Sequence, residues 1–255
     1  MFIKLIKHDI RDSFLEVVFF CGLLLVTSLF VMFSTMTGIA FWMIVSWLAY
    51  SAAATVLAVV VIKVIVYKFH AKLFGSGGYL TLTTPVSINK ILLSKILVSM
   101  LWLFVAAMAA LASFFIISAG ILGIAGVGSG FLLTGFFRVI AEFPLRTLQM
   151  VVVILAFCLS AIMTLLVVLA LSNIGRSKRG RLLKGVFIYW GLQQAMGVVT
   201  VLIFMIFGPL IDRANLSGAA MFYVMTSMIA VMFLGWAIGF YFLSKWLIVK
   251  KIELE

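Results

Sequence analysis

Of 255 residues, 66% are hydrophobic and only 10% charged, mean hydropathy is +1.34, and 19 Lys and Arg against 7 acids leave a net charge of +12. These proportions lie far outside the range of soluble domains, so a water-soluble enzyme or binding module is excluded. The basic surplus does not point to nucleic acid as a partner, because the cations are scattered among the ends of apolar runs instead of gathered on a polar domain.

In chain order, the first element is amphipathic. Phe2, Ile3, Leu5, Ile6, Ile10 and Phe14 alternate at helical spacing with Lys4, Lys7, His8, Asp9, Arg11 and Asp12. This predicts a helix over residues 1–16 lying at the membrane interface, as an anchor or as a contact for a soluble partner. No short apolar core with a small-residue cleavage site is recognised there, so a cleaved signal peptide is not expected. Residues 17–62 then carry no charge, more than twice the roughly 20 apolar residues that cross a bilayer as helix. The run must fold back once, and Ser34-Thr35-Met36-Thr37-Gly38 is the break. Further uncharged runs give six spans in all, near 17–35, 40–64, 96–118, 147–173, 185–208 and 219–245, in a single transmembrane domain over 1–255. Their length and continuity predict helices and not the short alternating segments of a β-barrel. The fold class expected is therefore an all-α integral membrane protein with six transmembrane helices.

Lys and Arg resist translocation and so mark the cytoplasmic side. With the N-terminus inside, only Arg138, Arg146 and Arg213 fall outside. A multi-pass protein of the cell membrane with both termini cytoplasmic is expected. Cys21 and Cys158 fall inside spans without His or acid neighbours and read as packing residues; His8 and His70 read as solvated. No metal site is expected.

The segment 67–95, YKFHAKLFGSGGYLTLTTPVSINKILLSK, is basic, without acid, and punctuated by Gly77-Gly78 and Pro85. It reads as a helix continuing past the second span through Lys72, a glycine break, a short exposed stretch with Tyr79, Leu80, Leu82 and Val86, and a new helix capped by Ser87. The apolar and aromatic patch suits a socket on another protein, or the segment folds as a plain connector on the bilayer surface.

Catalytic patterns are missing: there is no G-x-x-x-x-G-K-[ST], H-E-x-x-H or G-x-S-x-G, and no acid is expected deep in a span to relay protons or bind sodium. The chain is not read as an enzyme. Gly123 to Gly130 has neither a preceding strand nor a following Lys and reads as a close-packing or re-entrant stretch before an outer loop at 138–146.

Residues 78–97, GYLTLTTPVSINKILLSKIL, resemble the intracellular loop of ABC-2 type exporter permeases of Gram-positive bacteria. The family pattern is Gly-Tyr-Leu-Thr, then Leu-Pro-Val-Ser, then a Ser-Lys pair at the third span. Gly78, Tyr79, Leu80, Thr81, Pro85, Val86, Ser87, Ser94 and Lys95 match, while Thr84 stands where Leu is usual and Gly77 where an acid often stands. The resemblance implies an ABCG-like, type V exporter transmembrane subunit, two copies of which pair with two separate ATPase subunits that hold ATP and Mg. It implies that Lys72, Gly78 to Thr81 and Pro85 to Ser87 form the ATPase-coupling loop, and that this chain binds no cofactor itself. Toxin and antimicrobial-peptide exporters, including phenol-soluble modulin exporters, are the nearest analogues.

A passage between two permease copies would be lined by the polar residues of apolar spans. Gln193 and Gln194 lead, since adjacent amides in hydrocarbon need partners or a wet cavity; Thr27, Ser28, Ser46, Ser51, Thr55, Thr200, Thr226 and Ser227 follow. Met221, Met225, Met228 and Met232 form a stripe read as packing or cargo contact, and Gly235-x-x-x-Gly239 as a close approach to a neighbouring helix or a second copy. An uncharged lining rich in Phe, Met and hydroxyls suits an amphipathic peptide cargo and membrane lipid better than a sugar or ion. An ion-coupled carrier or channel, and a non-transporting anchor or immunity protein, are the alternative classes.

Overall fold

A computed structural model describes residues 2–69, 88–124, 131–172, 181–213 and 217–253. They form seven helices, α1 (Phe2–Thr37), α2 (Ala40–Phe69), α3 (Ile88–Ile124), α4 (Phe131–Glu142), α5 (Pro144–Ser172), α6 (Arg181–Arg213) and α7 (Gly218–Glu253), with no strand among the described residues. All but α4 are long and apolar enough to cross a membrane. The 12 residues of α4 reach about 18 Å, short of a hydrocarbon core of about 30 Å. The chain is a multi-pass, all-α integral membrane protein.

Local chemistry sets the breaks. Gly38 has φ 68°, a left-handed conformation that closes α1, and its N–H donates to the Thr35 carbonyl at 3.2 Å. Pro144 is the first residue of α5, where its missing N–H costs nothing, and it disfavours helical geometry at Phe143 before it. Ser217 caps α7 by accepting the Ala220 N–H at 3.4 Å.

The amphipathic stretch 1–16 continues into the first span without a break, α1 running from Phe2 to Thr37 because nothing between those residues breaks a helix, and its Asp9 and Glu16 find partners on α3 and α2. One expectation changes. Residues 138–146 are not a loop but the end of α4 and the start of α5, split at Phe143. Of the glycine-rich stretch, Gly123 closes out α3 and residues 125–130 lie outside the described residues.

The helices fall into two compact units, α1 to α4 and α5 to α7. In the first, contacts between α1 and α3 rise together along both helices, from Asp9 with Lys95 to Phe14 with Trp102, Met32 with Gly120 and Met36 with Gly123. The two helices are therefore parallel and pack directly on one another, and α2 runs back antiparallel to them. On α1 the buried seam is Asp9, Ser13, Val17, Cys21, Leu24, Ser28, Val31 and Thr35; on α3 it is Lys95, Ser99, Trp102, Ala109, Ser113 and Gly120. These steps of three, four and seven are those of a left-handed helix pair, with Gly120 of α3 opposite Met32 of α1. A Cβ at Gly120 would stand 3.1 Å from the Met32 Cα, so the backbones touch there. Hydroxyls tie α2 in: Ser34 to Ser46 at 2.6 Å, and Tyr50 to Ser113 at 3.0 Å.

The second unit repeats this order. The Gln149 side-chain amide donates to the Tyr223 carbonyl at 2.8 Å, Arg146 lies 5.8 Å from the Phe222 ring, and Phe157 meets Phe233 edge-on at 5.2 Å. Again the partners rise together, so α5 and α7 are parallel. Gly185, early in α6, approaches Val168 and Ser172 late in α5, which makes α6 the returning helix. Within the chain α5 is the covered helix, with 44% of its most apolar window buried, against 6% for α6.

Candidate functional site

Lys95 and Asp9 form an ion pair that is sealed from solvent, with side chains 0% and 1% exposed. Helical spacing explains the meeting. Asp9 is on the seam face of α1, eight residues ahead of the uncharged run that begins at Val17, and Lys95 is on the seam face of α3, directly ahead of the run that begins at Ile96. An isolated charge here would be costly by many kcal/mol in a low-dielectric interior; paired and hydrogen-bonded, the two charges offset each other's desolvation. Ser94, beside Lys95, is also fully buried and donates to the Ile91 carbonyl at 2.7 Å, one turn back on its own helix.

The pair continues into a polar seam. Ser13 lies one turn beyond Asp9 and is buried; Ser99 and Trp102 lie one and two turns beyond Lys95, and their hydroxyl and indole N–H are buried without a hydrogen-bond partner among the described residues. Phe14 packs on the Trp102 ring at 6.5 Å between centroids. A second, exposed pair joins α1 to α2, Glu16 Oε1 with Lys63 Nζ at 2.5 Å. Asp9 and Glu16 of α1 are thus matched by lysines from the next two helices.

His8, Asp9 and Asp12 bring ligand atoms within 4.8 Å of one another, and His8 Nδ1 lies 3.3 Å from Asp12 Oδ2. Asp9 is paired with Lys95, which leaves His8 and Asp12 as the exposed members of this cluster.

The sequence-predicted residues divide as follows. Lys72, Gly78, Tyr79, Leu80, Thr81, Pro85, Val86 and Ser87 lie outside the described residues. Their flanks are described: α2 ends at Phe69 and α3 starts at Ile88, two turns ahead of Lys95. Thr27 is half-buried and Ser28 fully buried on α1, each donating to a carbonyl one turn back (Leu24 and Leu25), so Ser28 belongs to the α1 seam and lines no open surface. Ser46 is likewise buried, in its clasp with Ser34. Gln193 and Gln194 are exposed on α6, Gln193 donating to the Tyr189 hydroxyl at 3.0 Å on the same helix; Thr200 is half-buried and donates to the Met196 carbonyl. Thr27 and Ser28 are in one unit, and Gln193, Gln194 and Thr200 in the other. A methyl group placed on Gly235 or Gly239 would meet nothing within 4 Å among the described residues, so within the chain the close helix approach is at Gly120.

Comparison with protein-family models, with curated proteins and with solved structures finds no match.

Proposed function

We propose that this chain is the transmembrane subunit of an ATP-driven exporter, working as two copies with two separate ATPase subunits and moving an amphipathic peptide or similar hydrophobic cargo outward. The observation that carries the reading is the setting of residues 70–87. That segment, with its Gly-Tyr-Leu-Thr and Pro-Val-Ser sequence, joins two long membrane helices, and the second of them is fastened to α1 through Lys95 and Asp9. A push delivered to the segment would pass into α3 at Ile88 and, through the sealed ion pair, into α1, so that two parallel spans move as one body while α2 hinges against them. Such rigid movement of packed helices is the usual means by which a remote energy source switches a membrane protein between two states. In this reading both termini face the cytoplasm, where the basic residues concentrate.

Exposure of α6 and α7 supports a second copy. Leu183–Pro209 is 6% buried in its apolar window, yet it carries Gln193 and Gln194, whose amides hydrocarbon cannot satisfy. A partner helix or a wet passage between copies would satisfy them.

The buried Asp9–Lys95 pair favours a second reading, ion-coupled transport, since ionisable groups within spans commonly mark ion pathways. Its position argues against this: coupling sites in such carriers lie near the midplane, whereas Asp9 precedes the uncharged run that begins at Val17 and Lys95 directly precedes the one that begins at Ile96. The two readings separate in reconstituted vesicles. With its ATPase present, transport should require ATP and be insensitive to collapse of proton and sodium gradients; Tyr79→Ala and Pro85→Gly should leave the protein inserted but lower transport at least tenfold. Transport that survives both substitutions, or that follows an ion gradient without ATP, would overturn the proposal.

A further inference from the structure

The polar residues of α1 sort by face. Asp9 and Ser13 point into the seam and Glu16 reaches Lys63, whereas Lys7 and Arg11, one turn apart, lie on an outer face and have no ion-pair or hydrogen-bond partner among the described residues. With Ile6, Ile10, Phe14 and Leu15 they line an open groove of about 620 Å³. Below the two cations the helix surface is apolar and uncovered: Phe14, Leu15, Val18 and Phe19 are all exposed.

From this arrangement we propose that the groove is a binding site for one anionic phospholipid, its phosphate held by Lys7 and Arg11 and an acyl chain lying along Phe14, Leu15 and Val18. Three observations select that occupant. The cations stand on α1 about two to three turns ahead of Val17, where the uncharged run begins, on the headgroup side of the hydrocarbon. A soluble anion would have no use for the apolar floor, and an acidic protein surface could not follow it into the bilayer. Two positive charges without a partner among the described residues, set against one phosphate, favour a headgroup without a compensating ammonium, hence phosphatidylglycerol over phosphatidylcholine. Asp9 and Glu16 are drawn away from this face by Lys95 and Lys63, and the described lining is basic and apolar. The site is independent of the transport reading.

The test uses the full chain in neutral detergent, offered equimolar dioleoyl phosphatidylglycerol and dioleoyl phosphatidylcholine, with bound lipid counted by native mass spectrometry. The wild type should retain phosphatidylglycerol preferentially, and Lys7→Gln/Arg11→Gln should reduce that preference about thirtyfold, the worth of two basic side chains near a charged headgroup. Lys7→Arg/Arg11→Lys, which keeps the charge, should retain it, as should Lys184→Gln, which removes an exposed cation from α6. Equal retention by the double glutamine variant would overturn the proposal, as would equal loss in Lys184→Gln, which would mean diffuse charge. So would displacement of the lipid by inorganic phosphate alone, or a wild type that shows no lipid preference but binds an acidic protein through Lys7 and Arg11.

Discussion

Lys95 shows how a single residue's setting outweighs its type. In sequence it is one of several lysines at a membrane edge; in the fold it is wholly enclosed and answered by one carboxylate from a helix that precedes it by 86 positions. Removing one partner leaves the other charge buried and uncompensated, which costs about 3–5 kcal/mol, whereas replacing both with neutral groups of similar volume is far milder. Asp9→Asn and Lys95→Met should therefore each lower the unfolding temperature in detergent sharply, and the double variant should recover most of the loss; additive losses would show that the two residues do not act as a pair. The sequence shows Asp9 only as part of the polar face of an amphipathic stretch. The signal that separates it from Asp12 is its register, since Asp9, Ser13 and Val17 fall at four-residue steps and lead into Leu24, Ser28 and Val31, the stripe that α1 buries. Lys95 is similarly marked by the continuation of its stripe through Ser99 and Trp102. An inventory of charges cannot reveal this, because burial depends on which face a neighbouring helix covers.

At the scale of elements, the seam between α1 and α3 depends on close approach at Gly120, where an added methyl would meet the Met32 backbone at 3.1 Å. Gly120→Ala should cost about 1–3 kcal/mol by overpacking a contact in which backbone, not only a flexible side-chain tip, must give way. Gly239→Ala, with open space around it in the chain, should leave monomer stability unchanged; it becomes costly only in the assembled complex if a second copy packs there. Thermal unfolding of both variants in detergent, compared with the assembled state, distinguishes these outcomes. The spans are legible from uncharged length alone, because a membrane helix must be apolar and about 20 residues long whatever it packs against. The packing of the first element is not. Amphipathic patterning in residues 1–16 does not reveal which face a neighbouring helix covers, and that Asp9 meets Lys95 of α3 and Glu16 meets Lys63 of α2 appears only in the fold. Residues 138–146 look like a loop in sequence because charges interrupt the apolar run there, yet charge does not end a helix; Arg138 and Glu142 instead pair at 2.6 Å one turn apart along α4.

At the scale of the molecule, two units each hold two parallel helices joined through a returning one, and among the described residues the last two spans remain largely uncovered. That exposure, together with glutamines in mid-span, is what the proposed second copy would cover. The site residues are only partly legible for the same reason: Gln193 and Gln194 stand out as amides in an apolar run, but the described residues leave them exposed. The central claim is that the chain is one half of a machine whose energy comes from another subunit. Purification from native membranes in mild detergent, with mass spectrometry of stoichiometric companions and an ATPase assay, tests it most directly. The account predicts a P-loop ATPase recovered at one copy per chain, with ATP hydrolysis in the purified complex. A chain recovered alone and without ATPase activity, under conditions in which Asp9 and Lys95 variants confirm that it is folded, would contradict it.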